Sequence, residues 1–226
     1  MNPAKQPVPM SGSDNSPPSR IQHYLINILV GLVCAVFAYW NLRVVLTAGE
    51  FNLQIFLFLA IFLRNGSIAV LFLLRRPARV SSKQLKEWLA AIVGTFAGFA
   101  YTQKNAYPLL PATAYGTAFA LMGAALVLSI LAVLSLGRSF GIVPANRGIK
   151  TRGPYAVVRH PIYACYLLYD MLFLSLRFSW LNLLVFGTFC LSTYLRSRYE
   201  EKILLQDAAY RQYVQETPYM FFPKII

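Results

Sequence analysis

The chain has 226 residues, 57% of them hydrophobic and only 13% charged, with a mean hydropathy of +0.51. Apolar residues gathered into long runs at that density exclude a soluble domain and point to a multi-span membrane protein. The net charge of +13 would suggest nucleic acid in a soluble protein; here the basic residues act by loop, and no nucleic-acid partner is expected.

Residues 1–20 are rich in Pro, Ser, Gly and Asn and read as a disordered cytoplasmic tail. The tail lacks the pattern of a cleaved signal peptide, so the first apolar run, Tyr24 to Leu46, is expected to remain as the first transmembrane helix. A second span runs from Phe51 to Leu74 and ends in Arg75-Arg76-Pro77-Ala78-Arg79. A third is expected from Glu87 to Tyr107, closed by Pro108 and Pro111, and a fourth from Thr113 to Leu136. The last apolar block, Ile162 to Leu195, is interrupted by Arg177-Phe178-Ser179 and divides in two. Each half is below the roughly 20 residues of a perpendicular span. The two halves are expected to form a tight helical hairpin whose helices extend beyond the bilayer on the loop side.

Sorting the cations gives the topology. Two lie in the tail, five between Arg75 and Lys86, five between Arg138 and Arg159, and five from Arg196 to Lys224, so 17 of 21 fall on one side of a six-helix chain. Arg43, Lys104 and Arg177 fall on the other side, and Arg64 lies inside a span. This asymmetry predicts cytoplasmic amino and carboxy termini. Arg64 and Asp170 would each be costly facing lipid, so both are expected to face the bundle interior, with a structural pair as the favoured reading. Cys34, Cys165 and Cys190 sit in apolar runs without metal-ligand or pairing spacing and read as small core residues. No metal-ligand cluster, Walker motif or internal repeat is visible.

The polar exception is Gly153-Pro154-Tyr155-Ala156-Val157-Val158-Arg159-His160-Pro161-Ile162-Tyr163. Gly153-Pro154 forces a turn, and Pro161 suits the first turn of a helix while steering His160 away from the α conformation. The loop therefore delivers a guanidinium and an imidazole to a helix mouth, a good place for a carboxylate or phosphate. A basic loop that only sets topology would carry the same residues. After the last span the helical pattern continues through Arg196-Ser197-Arg198-Tyr199-Glu200-Glu201. Arg196 and Glu200 stack on one helix face, with Glu201 about 100° round. Such pairs are usually solvated, but only eight acids exist in the whole chain. A hairpin returns to the surface it left, so the two polar clusters are expected to meet.

The motif series resembles the isoprenylcysteine carboxyl methyltransferase family and its relatives, which include membrane phospholipid methyltransferases. The matching residues are Leu136-Gly137-Arg138-Ser139-Phe140, Gly153-Pro154-Tyr155, Arg159-His160-Pro161-Ile162-Tyr163, Arg196 with Glu200-Glu201, Tyr210 with Tyr213, and Pro223. They cover residues 113–226, so residues 21–112 are expected to be amino-terminal transmembrane helices and 113–226 the catalytic membrane region. The resemblance implies S-adenosyl-L-methionine bound between the Arg-His-Pro loop and the Glu-Glu helix. It gives Arg147, Gly148, Ile149, Lys150, Tyr155, Arg159, His160, Pro161, Ile162, Tyr163, Glu200 and Glu201 as cofactor-binding residues, with Arg196 and Glu200 catalytic. Arg147 stands where the prenylcysteine enzymes often have histidine.

The residue types agree with that chemistry. The cofactor offers a carboxylate to Arg159 or the helix start, and an ammonium and ribose hydroxyls to Glu200. A carboxylate acceptor needs a positioning cation, Arg196, and no base. An amine acceptor would need Glu200 or Glu201 as base. The resulting expectation is an all-α polytopic integral membrane protein of about six transmembrane helices, with a carboxy-terminal helical hairpin and a cytoplasmic cofactor pocket. Its expected partners are the bilayer and a lipophilic small-molecule or lipidated-peptide substrate, foremost the carboxylate of a prenylated cysteine. A phospholipid headgroup N-methyltransferase, an NADPH-dependent sterol-reductase-like enzyme and a non-enzymatic membrane scaffold or transporter are the rival readings.

Overall fold

The computed structural model describes residues 20–224 apart from Arg79 and Lys83; the tail expected to be disordered lies outside these residues but for Arg20. In chain order the helices are α1 (Arg20–Thr47), α2 (Leu53–Leu74), α3 (Leu85–Phe96), α4 (Tyr115–Leu136), α5 (Pro161–Leu176), α6 (Trp180–Leu204) and α7 (Ala208–Glu216). Helix makes up 72% of the described residues, as the all-α reading expects, with one exception. A two-residue strand β1 (Val80–Ser81) pairs antiparallel with β2 (Ala145–Asn146) and ties the loop after α2 to the loop after α4.

Three helices, α1, α2 and α4, are long and apolar enough to cross a membrane. At 1.5 Å per residue, the 22 residues of α2 reach about 33 Å, just past a hydrocarbon core of about 30 Å. Leu25, Leu29, Leu32 and Val36 recur at helical spacing on α1 and remain exposed, the face that lipid would cover. Caps fix where helices begin. The Asn52 side chain accepts from the Ile55 amide at 3.0 Å to start α2, and Ser179 Oγ accepts from the Asn182 amide at 3.1 Å to start α6.

The third expected span is different. Instead of helix from Glu87 to Tyr107, α3 stops at Phe96, tightens into a 3-10 turn over Ala97–Ala100, and then leaves helix altogether. Non-helical backbone at membrane depth needs partners from the protein. Fully buried Asn182 provides them, accepting from the Thr102 amide at 3.0 Å and donating to the Thr102 carbonyl at 3.0 Å. Tyr107 and Phe178 then exchange backbone hydrogen bonds at 2.9 and 2.8 Å, which anchors the segment to the turn between α5 and α6.

That turn falls at Arg177-Phe178-Ser179, as the interruption in the sequence implies, but the hairpin is not tight. α5 packs mainly against α4, and α6 mainly against α3, rather than against each other. Bulky side chains from both helices, Tyr163, Tyr166 and Arg196 among them, line the space left between them. Two apolar cores hold this open arrangement. One gathers Phe72, Val133, Phe140, Tyr155, Ile162, Tyr210 and Tyr213 at the end where α5 begins; the other gathers Leu57, Met122, Leu126 and Leu176 toward the far end.

Candidate active site

Gly153 takes φ +65°, a left-handed conformation open to glycine, and starts the 3-10 turn Gly153–Ala156 that seats Tyr155 in the first core. The chain then runs straight into α5 with Pro161 in its first turn and His160 just before it. Arg159 Nε donates to Glu201 Oε1 at 2.6 Å, and its Nη1 donates to the carbonyls of Thr217 (3.0 Å) and Pro218. The backbone amides of Arg159 and His160 donate to Tyr219 and Met220 carbonyls, each at 2.9 Å. The Arg-His-Pro loop, the end of α6 and the carboxy-terminal segment are thus bound as one unit.

Glu201 is the centre of that unit, on the polar extension of α6 beyond its apolar stretch. Its Oε1 also accepts from Tyr210 at 3.4 Å and lies 3.4 Å from His160 Nε2. Burial alone would raise the Glu201 carboxyl, but His160 and Arg159 outweigh burial and hold it at about 2. Tyr210 is pushed upward by burial and by the adjacent Glu201 charge.

A cavity of about 500 Å³ occupies the space between α5 and α6 and reaches α1 and α2. Arg147, Gly148, Ile149, Lys150, Tyr155, Arg159, His160, Ile162, Tyr163, Arg196 and Glu200 all line it. Pro161 and Glu201, named with them from the sequence, are not on its wall, and Glu201 instead clamps Arg159 from behind. Tyr163 OH donates to Glu200 Oε2 at 3.2 Å and stacks on His160, with centroids 5.5 Å apart. Arg196 is buried; it donates to Gly141 O at 3.2 Å and Thr95 Oγ1 at 3.4 Å, and its guanidinium sits 5.0 Å over the Tyr163 ring. The Arg147 guanidinium tucks against Gly141, where an added Cβ would lie 2.7 Å from it. Burial lowers the Arg147 guanidinium from its ordinary value, opposed by the Glu200 charge.

The cavity also takes in residues that the motif series did not name: Cys34, Arg64, Thr95, Tyr101, Tyr166 and Asp170. Arg64 and Asp170 both face the interior as expected, but they form no ion pair; the Arg64 guanidinium lies 5.0 Å over the Tyr166 ring instead. Helical spacing from His160 through Tyr163, Tyr166 and Asp170 is the sequence signal for this wall, a polar stripe along an otherwise apolar helix.

The chain was compared with known protein families and with curated proteins, and nothing matches in either comparison. Among the described residues no group of three or more His, Cys, Asp or Glu is placed to hold a metal ion.

The site residues fit an S-adenosylmethionine-like group. Arg147 Nε is buried on this cavity without a hydrogen-bond partner, while His160 Nε2 faces Glu201 Oε1 at 3.4 Å. The Glu200 carboxylate lines the same cavity and is an acceptor for hydroxyl or ammonium protons. Buried polar atoms without partners are costly, by about 1–3 kcal/mol each, and a ligand rich in oxygen and nitrogen would relieve that cost.

Proposed function

We propose that this chain is an integral membrane S-adenosyl-L-methionine-dependent methyltransferase of about six spans, with both termini in the cytoplasm, acting on a lipophilic acceptor. The observation that carries the reading is a single cavity walled by Arg147, His160, Tyr163, Glu200 and Arg196 on one side and by α1 and α2 on the other. A charged nucleotide-like donor and an apolar acceptor need such a shared chamber, and, Arg147 apart, its polar wall comes from the motif series that resembles that of the isoprenylcysteine carboxyl methyltransferases.

The bound cofactor would supply an electrophilic methyl group. Glu200, oriented by the Tyr163 hydroxyl, holds ammonium or ribose protons. Arg147 holds an oxygen acceptor on the same wall, where the His160 ring stacks on Tyr163. Arg159 is a positioning residue, because its guanidinium is already engaged by Glu201 and two backbone carbonyls. Arg196 holds an acceptor carboxylate, which requires no base, and the surrounding apolar faces exclude water. In a dry chamber, bringing opposite charges together to neutralise one another is favoured over leaving them apart.

The experiment is methyl transfer from labelled S-adenosylmethionine to a panel of lipid acids, thiols and amines by detergent-purified protein. Label should reach a lipid acid, and Arg196→Lys should abolish most turnover while leaving cofactor affinity nearly intact. Transfer to amines alone contradicts the acceptor assignment, and transfer to no member of the panel without cofactor binding contradicts the enzyme class.

A further inference from the structure

Tyr163 and Tyr166 stand about one turn apart on the face of α5 that lines the cavity. Each has a guanidinium over its ring, and each guanidinium comes from a different helix. Arg196 of α6 lies 5.0 Å from the Tyr163 centroid, and Arg64 of α2 lies 5.0 Å from the Tyr166 centroid. Three residues of helix rise about 4.5 Å, so the two rings, each with its cation, stand on successive turns of one wall.

Both have an orphaned donor. Arg64 Nε and Arg196 Nε are buried without hydrogen-bond partners, and neither guanidinium is in an ion pair among the described residues. Stacking on a tyrosine offsets only part of what desolvating each cation costs. Asp170 and Glu200 lie on the same cavity and moderate the field, but they occupy neither Nε donor. One N–H donor from each of two helices on a shared cavity wall suits the two oxygens of one carboxylate. Apolar side chains nearby, Val30, Val33, Ile61 and Ile68, line the same chamber and would take the attached chain.

We infer that Arg64 and Arg196 form a paired-guanidinium site for the single carboxylate of a lipid-chained acceptor, with Arg64 a specificity-determining residue supplied by the half of the chain outside the motif series. The inference rests on the acceptor-side role of Arg196 and extends it to a second cation and a defined head group.

The test is binding of palmitate and N-acetyl-S-farnesylcysteine, each against its own carboxamide, with S-adenosylmethionine affinity measured in parallel. The parent protein should bind at least one acid about ten- to a hundredfold tighter than its amide, the range of one or two charge-assisted hydrogen bonds. Arg64→Met combined with Asp170→Asn, which removes both charges together, should bring that ratio close to one without changing cofactor affinity. Arg64→Lys keeps the charge and loses the fork, and it should lower the ratio in a protein that folds like the parent. Equal binding of acid and amide by the parent, or a ratio that survives both variants, overturns the inference. Lysophosphatidate bound more tightly than either acid overturns the choice of carboxylate. An Arg64-dependent ratio in a protein that binds no S-adenosylmethionine upholds this site while removing the methyltransferase reading, so the two fail separately.

Discussion

Arg159 donates to Glu201 at 2.6 Å across 42 residues of sequence, and the same guanidinium reaches the carbonyls of Thr217 and Pro218. The loop that opens α5, the end of α6 and the carboxy-terminal segment are therefore held by one buried ion pair, and the shape of the cavity wall depends on it.

Glu201→Gln removes the charge and leaves Arg159 buried beside a neutral amide. Losing one partner of a buried pair costs roughly 3 kcal/mol, so the variant should melt earlier near neutral pH. Acid should bring the two proteins together. The carboxyl is held at about 2, below its ordinary value of 4.5, so its stabilising contribution is complete above the ordinary value and is lost as pH falls toward the lower one. Thermal unfolding in detergent across that window should show a steeper acid decline for the parent than for Glu201→Gln. Equal slopes would remove Glu201 from the account of stability.

Gly141→Ala tests the placement of Arg147. The new Cβ would sit 2.7 Å from the Arg147 guanidinium, the flexible end of a side chain, so the backbone can stay where it is while the guanidinium moves. The variant should unfold within a degree or two of the parent, yet bind S-adenosylmethionine about tenfold more weakly, the loss of roughly one charge-assisted hydrogen bond. Unchanged affinity, read by calorimetry, would take Arg147 out of the cofactor wall.

The proposed topology, with both termini in the cytoplasm, rests on the 17 basic residues grouped on one side of a six-helix chain. A reporter that works only in the cytoplasm should be active when fused after Ile226 and when inserted in the loop between Arg138 and Arg159. Activity of a reporter specific for the opposite compartment at either position would contradict the six-span arrangement.

Much of the fold was legible because it depends on local properties. The ends of α1, α2 and α4 and the break at Arg177-Phe178-Ser179 follow from run length and polar interruption. The early end of α3 was not legible, because the non-helical stretch is supported by Asn182, which lies 80 residues from Thr102. The β1–β2 pair is too short to leave a periodic signal. Hairpin logic brought the Arg159 loop and the Glu200-Glu201 helix together, but it could not divide their roles. Glu200 faces the cavity while the adjacent Glu201 turns to Arg159, a difference of about 100° on one helix. Arg64 was legible as inward-facing because lipid is a poor solvent for charge. Its position over Tyr166 instead of against Asp170 depends on how α2 and α5 pack, which no spacing records.

The proposed S-adenosylmethionine site on the polar wall of the cavity is tested by the thermal shift of purified protein soaked separately with S-adenosylmethionine, S-adenosylhomocysteine and NADPH. The first two should stabilise the parent, by about 2.7 kcal/mol at a hundredfold excess over the dissociation constant, and Glu200→Gln and His160→Ala should each lose most of that shift. Stabilisation by NADPH alone, or by none of the three, would contradict the account.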